Sequence, residues 1–319
     1  MPEAKKTAQK KIISKNLFPV VGIGASAGGL EAFKKLVHAI PANSGMAFIL
    51  VQHLHPEHSS TLPEILQRET SVAVQEVSDN VTVAPDNIYV IPSNKILVAN
   101  DGVLQLSARP ADKKNNLIDI FFSSLAEVHQ NQAIGIVLSG TGADGTVGLK
   151  KIKDQGGITF AQDVESAAFD DMPQSAIKSE VVDFILKPEA IPQRLLQIVH
   201  TLNRFDGNGN PSTAEKKEED SYRQMLSLLR LRFGADFNFY KQTTIRRRIL
   251  RRLAILKIEK IADYLKHLQQ NNEEQELLFQ DLLIPVTNFF RDNETFEKIC
   301  NKIFPELIKD KSGINPLRV

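Results

Sequence analysis

The chain has 319 residues, of which 42% are hydrophobic and 24% charged, and its 39 basic residues almost balance its 38 acidic ones. This ordinary globular composition argues against a disordered or fibrous chain, no apolar run approaches the ~18 residues of a membrane span, and the single cysteine, Cys300, excludes an intrachain disulfide and a cysteine-rich metal cage. These properties predict a cytoplasmic protein, and at ~150 residues per domain the length suggests roughly two domains.

Residues 1–16 are basic and are followed by no apolar stretch, so we expect a disordered tail and no secretory signal. Over residues 17–206, short apolar runs alternate with amphipathic patterns, which is typical of parallel β–α–β units in an α/β domain. The predicted strands cover 18–23, 47–51, 134–138, 158–161 and 182–186, the predicted helices cover 30–40, 117–129 and 147–154, and a hairpin is expected over 87–104 with its turn at 92–94.

Residues 207–220 are rich in Gly, Asn, Pro and charge. Such a segment buries too little apolar surface to offset its ordering entropy, so we expect a linker. After it, amphipathic patterns predict a small all-α domain over 221–284, with helices over 221–233, 242–258, 261–270 and 273–283. Residues 285–319 indicate a short extended piece, a helix and a loop entering a strand, so we expect the protein to continue into a further domain.

A serine lies on a glycine-rich turn between the first predicted strand and the first predicted helix. The segment GASAG, residues 24–28, matches the G-x-S-x-G pattern, whose glycines permit a sharp turn that exposes Ser26. The free N–H groups at the start of the following helix suit a developing oxyanion. Most glycine-rich turns of this kind hold no catalytic serine. The turn also fits a relaxed dinucleotide fingerprint, but that fingerprint needs a carboxylate after the second strand, and His53 stands there instead.

His53 follows the second predicted strand, at the carboxyl edge where ligands gather in open parallel sheets. A neutral imidazole there could accept the proton of Ser26 as a general base. The alternatives are a solvated loop histidine and a metal site made of His53, His55 and His58. Pro56 breaks any helix that could align these three histidines, which weighs against the metal site.

Asp144 lies in the segment LSGTGADGTVG, residues 138–148, between a predicted strand and a predicted helix. A carboxylate at this edge could orient the histidine and stabilise its imidazolium form. Taken alone, this residue is better explained as a helix N-cap, for which Asp is favoured. The placement of Ser26, His53 and Asp144 at one edge of one sheet favours a hydrolytic triad over the three separate explanations.

Residues 17–204 resemble the chemotaxis protein-glutamate methylesterases of the CheB type. The resemblance rests on GIGASAGGLEAF, VQHLHPEHSSTLPEIL, VAPDNIYVIP, IDIFFSSLA, VLSGTGADGTVGL and AQDVESAAFDDMPQSAI, in this order. It implies a doubly wound, mainly parallel α/β sheet and a hydrolase that removes methyl esters from chemoreceptor glutamates and can deamidate receptor glutamines. It also implies that Ser26 is the nucleophile, His53 the base and Asp144 the orienting acid, with no metal or bound cofactor. Backbone N–H groups near Ala27 or Thr141 are the oxyanion candidates.

The sequence departs from this family in two respects. Thr141 stands where the family has a methionine whose backbone N–H is thought to help hold the oxyanion, and a backbone donor survives this change. The family's enzymes usually carry an N-terminal phosphorylatable receiver domain, whereas 16 residues precede the matching segment here. We therefore expect no control by such a domain within this chain.

The segment KQTTIRRRILRRLAILK, residues 241–257, carries seven basic residues and no acidic one. On a helix its apolar residues form one face. The remaining surface is covered by Arg246, Arg247, Arg248, Arg251 and Arg252. Such a surface can bind nucleic acid, an anionic membrane or an acidic protein, or it is only a solvated basic face. The scarcity of aromatic residues between the arginines disfavours nucleic acid.

Residues 221–319 resemble the start of a chemotaxis receptor methyltransferase of the CheR type. This resemblance implies that the five arginines engage acidic receptor helices and that Thr287 and Arg291, around the segment VTNFFR, belong to part of an S-adenosylmethionine site. Pro285 stands where the family has an asparagine and cannot supply its side-chain amide. The main cofactor-binding domain would begin after Val319, so we expect residues 285–319 to be the start of a truncated methyltransferase domain that cannot transfer methyl groups.

The prediction is thus a serine hydrolase for methylated chemoreceptor glutamates, fused to part of a methyltransferase. Its expected partners are the cytoplasmic helices of methyl-accepting chemoreceptors, without nucleic acid and without direct membrane insertion. Two alternatives stay open. One is a non-catalytic docking or regulatory module of a larger signalling protein, and the other is a methyltransferase fragment with a vestigial esterase domain.

Overall fold

A computed structural model of the chain describes residues 18–52, 61–108, 116–203, 213–283 and 299–303. The contacts within the chain divide it into two units, Met1–Leu282 and Leu283–Val319. In the second unit, Ile299–Ile303 forms a short π-helix. Among the described residues, no helix combines the length and the apolar character that a membrane crossing requires.

The described residues of the first unit form ten strands. They are β1 Val20–Ala25, β2 Ala47–Gln52, β3 Ala73–Glu76, β4 Val81–Thr82, β5 Asn87–Val90, β6 Lys95–Asn100, β7 Val103–Ala108, β8 Ala133–Val137, β9 Ile158–Gln162 and β10 Phe184–Leu186. Seven of them form one sheet of parallel strands in the order β10-β9-β8-β1-β2-β5-β3, while β4, β7 and β6 form a small antiparallel sheet. The five strands predicted from apolar runs are β1, β2, β8, β9 and β10, and the predicted α/β fold is confirmed.

In the same described segments, ten α-helices accompany these strands. They are α1 Gly29–His38, α2 Leu62–Gln67, α3 Leu117–His129, α4 Thr146–Asp154, α5 Asp171–Lys178, α6 Ile191–Asn203, α7 Thr213–Phe233, α8 Gln242–Leu256, α9 Ile261–Gln270 and α10 Asn272–Leu282. Alternate residues of β2 face two different cores, with Phe48 in the core that includes α1 and α6 and Ile49 in the core that includes α3 and α4. Because both faces of the sheet are buried, its central strands are continuous apolar runs.

The order of the strands reverses at β1. This strand pairs in parallel with β2 on one side and with β8 on the other. In open parallel sheets, ligands bind in the crevice beyond the carboxyl ends of the strands at such a switch point. The loops that follow β1 and β8 are therefore the expected walls of a functional site, and they contain Ser26 and Asp144.

The hairpin expected over 87–104 was wrong in its pairing. Strand β5 belongs to the large parallel sheet, and the hairpin joins β6 to β7 instead. Asp101 and Gly102, which link β6 to β7, have φ angles of 47° and 77°. An Asp-Gly pair with two positive φ angles is a strong signal for a two-residue hairpin turn. The turn of the hairpin is therefore this pair and not residues 92–94.

The predicted linker over 207–220 requires a correction, because α7 begins at Thr213. The segment TAEKKEED, at the start of this helix, is rich in Ala, Glu and Lys, which are strong helix formers. The all-α prediction for the following region is otherwise confirmed, since α8, α9 and α10 match the expected helices within a few residues. These helices share a core that includes Ile249, Leu253 and Tyr264.

Candidate active site

Ser26 follows β1 and is partly exposed at the turn into α1. Its backbone N–H donates to the carbonyl oxygen of Ser139 at 3.0 Å, and its own carbonyl oxygen accepts the N–H of Gly29 at 3.0 Å. Gly28 has a φ angle of 73°, in the left-handed region that favours glycine. A Cβ atom at Gly28 would lie 2.7 Å from the Oγ atom of Ser139. The serine is thus held on a sharp turn against the loop that follows β8.

Gly140, in the loop after β8, packs against Ser26. Its N–H donates to the carbonyl oxygen of Phe169 at 2.9 Å, and its carbonyl oxygen accepts the N–H of Met172 at 3.0 Å. A Cβ atom at position 140 would collide with the Sδ atom of Met172 and lie 3.0 Å from the Cβ atom of Ser26. Only glycine fits between these two neighbours, so the position of the serine depends on this residue.

Polar side chains behind the serine tie three loops together. The hydroxyl of Ser139 donates to the carbonyl oxygen of Ala27 at 2.8 Å and accepts the N–H of Phe169 at 3.0 Å. The backbone N–H of Ser139 donates to Oε1 of Gln162, which is buried, at 2.9 Å. Sequence reasoning missed these supporting residues. Gln162 and Phe169 lie in the segment AQDVESAAFDDMPQSAI, which contributed to the family resemblance without a role for its members.

Asp144 is buried, and both of its carboxylate oxygens accept backbone N–H groups from the first turn of α3. Oδ2 accepts from Ile118 at 3.0 Å, and Oδ1 accepts from Asp119 at 2.9 Å. It therefore caps α3 and not its own following helix α4, whose N-cap is Gly145. A carboxylate offers about four lone-pair sites, so this capping leaves acceptor capacity for an imidazole.

The side chain of Asp119, whose own N–H donates to Asp144, in turn caps α4. Its Oδ1 accepts the N–H of Gly148, in the first turn of α4, at 2.7 Å. Burial raises the pKa of Asp119, the hydrogen bond from Gly148 opposes that rise, and the nearby carboxylate of Asp144 adds to it. The two helices thus exchange capping carboxylates, and this exchange fixes the backbone that carries Asp144.

His53 lies outside the described residues, as do His55 and His58. The last register pair between β1 and β2 joins Ala25 to Gln52. Ser26 directly follows Ala25 in sequence, and His53 directly follows Gln52. Among the described residues, no group of three or more His, Cys, Asp or Glu side chains could hold a metal ion.

The two oxyanion candidates are accessible. Thr141 is exposed and Ala27 is partly exposed. Within the described part of the chain, the backbone N–H groups of these two residues donate to no protein acceptor. Ala27 directly follows the serine, which is the position that supplies an oxyanion donor in serine hydrolases with a G-x-S-x-G turn.

The arginines of α8 require a correction, because three of the five are buried by the chain itself. Arg248, Arg251 and Arg252 are only 7%, 3% and 7% exposed. Arg251 pairs with Asp183 at 2.5 Å and with Asp281 at 2.6 Å. Burial lowers the pKa of Arg251, and these two carboxylates together raise it above its ordinary value. Because their side chains are buried, these three arginines are not accessible to a receptor in this arrangement.

Further contacts of these arginines join α8 to the parallel sheet and to α10. The Nε atom of Arg251 donates to the carbonyl oxygen of Gly157, just before β9, at 3.0 Å. Arg252 pairs with Glu274 of α10 at 2.5 Å. The basic helix is therefore an internal connection between the two regions of the chain.

The other two arginines lie nearer the surface. Arg246 pairs with Glu219 on α7, and Arg247 donates to Oδ1 of Asn131 at 3.3 Å. A receptor-binding role on this helix remains a prediction for these two residues. Thr287 and Arg291, predicted to bind S-adenosylmethionine, lie outside the described residues, as does Pro285.

Comparison with known proteins gives matches for both regions. A family model described as CheB methylesterase matches residues 21–195, and one described as CheR methyltransferase, all-alpha domain, matches residues 220–283. The crystal structure of the Thermotoga maritima CheB methylesterase catalytic domain is 29% identical, with a TM-score of 0.54, and the match covers 57% of this chain and 100% of that one.

Three curated relatives are each 30% identical to this chain. A putative protein-glutamate methylesterase/protein-glutamine glutaminase of Leptospira interrogans matches over 57% of this chain and 95% of its own length. A protein-glutamate methylesterase/protein-glutamine glutaminase of Thermotoga maritima matches over 56% of this chain and 54% of its own length. An uncharacterized 104.1 kDa protein of Rhodobacter capsulatus matches over 81% of this chain, which spans only 29% of that protein.

Proposed function

Because the chain belongs to the CheB methylesterase family of hydrolases, we propose that it hydrolyses methyl esters on glutamate side chains of chemoreceptors in the cytoplasm. One observation carries this proposal. Ser26 is held by a 3.0 Å hydrogen bond against the loop that leads to Asp144, at the switch point of the sheet. The names of these relatives also include protein-glutamine glutaminase. Hydrolysis of a glutamine side chain is the same acyl-transfer chemistry, with ammonia as the leaving group.

In the proposed reaction, the hydroxyl oxygen of Ser26 attacks the ester carbonyl carbon while His53 takes the hydroxyl proton. His53 then protonates the leaving methoxy group, so the carbon–oxygen bond breaks and methanol departs from an acyl-enzyme. Water, activated by the same histidine, hydrolyses the acyl group and leaves a glutamate carboxylate. Asp144 orients the imidazole, and the N–H groups of Ala27 and Thr141 supply the oxyanion donors. None of these steps requires a metal or a bound cofactor.

Exposed apolar side chains close to Ser139 and, in sequence, to Asp144 support a macromolecular substrate. Phe169, whose backbone bonds to Ser139, is 48% exposed, and Val147, which follows Asp144 closely in the chain, is 58% exposed. Exposed apolar groups beside a reactive residue are typical of interaction surfaces. We therefore expect a receptor helix to lie across the carboxyl ends of β1 and β8.

The second region is proposed to belong to a methyltransferase function. Its match to the all-alpha domain of CheR methyltransferases supports this assignment. S-adenosylmethionine binding through Thr287 and Arg291 remains a prediction from sequence.

Methanol release from a methylated chemoreceptor fragment tests the esterase proposal. We expect Ser26→Ala to lose most of the turnover, since loss of the nucleophile of a serine protease triad costs on the order of 10⁶ in kcat. Ser227→Ala is the matched control, because the only partner of the Ser227 hydroxyl among the described residues is a carbonyl of its own helix α7, at 2.8 Å. Equal release by wild type and Ser26→Ala would refute the assignment of the nucleophile. A folded wild type that binds the receptor without releasing methanol would favour the docking alternative.

A further inference from the structure

A cavity of about 150 Å³ lies between the parallel sheet and the helical region. On the sheet side it is lined by residues at the amino ends of three strands, namely Pro19 before β1, Gln132 before β8 and Gly156 before β9. On the other side it is lined by the first turns of α8. Ser26 lies beyond the opposite ends of the strands, so this cavity is separate from the candidate active site.

The lining of this cavity is strongly cationic. Among its described lining residues four are basic and none is acidic. Arg251 is neutralised by its two carboxylate partners. Arg248, by contrast, donates to the backbone carbonyl oxygens of Asp154, at 2.8 Å, and Asp281, and pairs with no carboxylate of the described residues. A buried cation without a direct counter-ion is costly, and an anion placed beside it is correspondingly favoured.

The state of Arg248 agrees with this electrostatic argument. Burial lowers the pKa of the Arg248 guanidinium and the neighbouring charge of Arg251 lowers it further, while the more distant carboxylates of Asp281 and Asp154 act in the opposite direction. Arg248 is 7% exposed, and two of its five N–H donors are used by the two carbonyl oxygens. It therefore has both the charge and the remaining donors to bind an anion in the cavity.

The start of α8 adds backbone donors to the same space. Lys241 is the N-cap of α8, and its carbonyl oxygen accepts the N–H groups of Thr244 at 2.9 Å and Ile245 at 3.2 Å. The N–H groups of Gln242 and Thr243, in the first turn, have no backbone acceptor among the described residues and lie at the positive end of the helix dipole. Thr243, Thr244 and Lys241 all line the cavity, so the Thr243 N–H, two hydroxyls and an ammonium group lie on one side of it.

We propose that this cavity binds the phosphoryl group of a small phosphorylated ligand, held by Lys241, Arg247, Arg248 and the first turn of α8. A tetrahedral phosphoryl group presents oxygens in several directions, which matches the donors of α8 on one wall and the side-chain amides of Asn131 and Gln155 on the other. Arginine and helix N-termini are recurrent phosphate ligands. A volume of about 150 Å³ holds a benzene-sized molecule in other proteins, so a phosphoryl group fits.

Occupation of this site would stabilise the attachment of the helical region to the sheet. Arg247 and Arg248 come from α8, whereas Asn131 and Gln155 come from the sheet domain. A ligand that contacts both regions binds the folded arrangement only and raises its stability by mass action.

Calorimetric titration of the full chain tests the proposal. The probes are inorganic phosphate and a nucleoside monophosphate, with acetate as the anion control at constant ionic strength. We expect saturable binding of at least one phosphoryl probe, and Lys241→Gln should weaken it about tenfold, the magnitude of one charged hydrogen bond. Binding of both probes would identify a phosphomonoester site, and binding of inorganic phosphate alone would identify a site for the free ion.

Lys260→Gln is the matched control for Lys241→Gln. Lys260 is the N-cap of α9, and its carbonyl oxygen accepts the N–H groups of Asp263 and Tyr264 at 3.1 Å each, but it does not line the cavity. We expect this control and Ser26→Ala to bind like wild type. An equal loss in both lysine variants, equal binding of acetate, or no saturable binding of either phosphoryl probe by folded wild type would overturn the proposal. These outcomes do not depend on esterase activity.

Discussion

Replacing Arg251 by leucine tests the attachment of α8 to the sheet domain. Arg251 and Asp183 have side chains only 3% and 4% exposed, and Asp281 is 14% exposed. Removal of one partner from a buried ion pair costs about 3–5 kcal/mol, because the remaining charge is left buried. Here Asp183 keeps the backbone N–H of Thr159 at 3.0 Å, and Asp281 keeps Arg252 at 3.9 Å. We therefore expect the lower end of this range, about 3 kcal/mol.

Urea unfolding followed by circular dichroism measures this loss. Arg246→Leu is the control, since its side chain is 44% exposed and its pair with Glu219 is open to solvent. Exposed pairs contribute about 0–1 kcal/mol, so the control should change stability by no more than that. An Arg251→Leu variant as stable as Arg246→Leu would refute the buried pair. Adding Asp183→Asn to wild type and to Arg251→Leu gives a double-mutant cycle, and a coupling energy of zero between these two residues would contradict the contact itself.

Two further predictions concern pH and the serine turn. His129 is 4% exposed, its Nδ1 has no hydrogen-bond partner among the described residues, and burial lowers its pKa to about 4. Because the unfolded histidine binds a proton near pH 6.5, stability should fall by roughly 3 kcal/mol as pH drops from 6.5 towards 4. Urea unfolding should show that His129→Gln lacks this part of the pH dependence, and an unchanged profile would contradict the assignment. Gly140→Ala should reduce methanol release by roughly 100-fold, since its Cβ displaces Ser26 or Met172. Methanol release by Gly140→Ala at the wild-type rate would refute the steric reason.

Much of the fold could be predicted from local sequence. Strands β1, β2, β8 and β9 are buried on both faces, so each appears as an apolar run bounded by glycine or polar residues. The hairpin was misassigned because a short apolar segment contains no information on its partner. Strand β5 resembles β6 in composition, but it pairs in parallel with β2.

The site was predictable where it depends on strand ends. Ser26 and Asp144 were placed correctly after β1 and β8, since parallel strands bring their carboxyl ends to one edge. The capping of α3 by Asp144 was not predictable, because Ile118 lies 26 residues away in sequence. The burial of Arg251 could not be predicted from the sequence for the same reason, because its partner Asp183 is 68 residues distant.

The two ends of β1 serve different purposes. Val20 begins this strand of six residues beside the cavity, and Ser26 follows its last residue. At a rise of ~3.3 Å per residue, the strand separates the two sites by about 20 Å. Substitutions so far apart usually act additively. The sheet thus works as a rigid spacer that keeps chemistry at one rim and attachment at the other. The receptor helix of the proposed function would therefore dock at the rim opposite the attachment of the helical region.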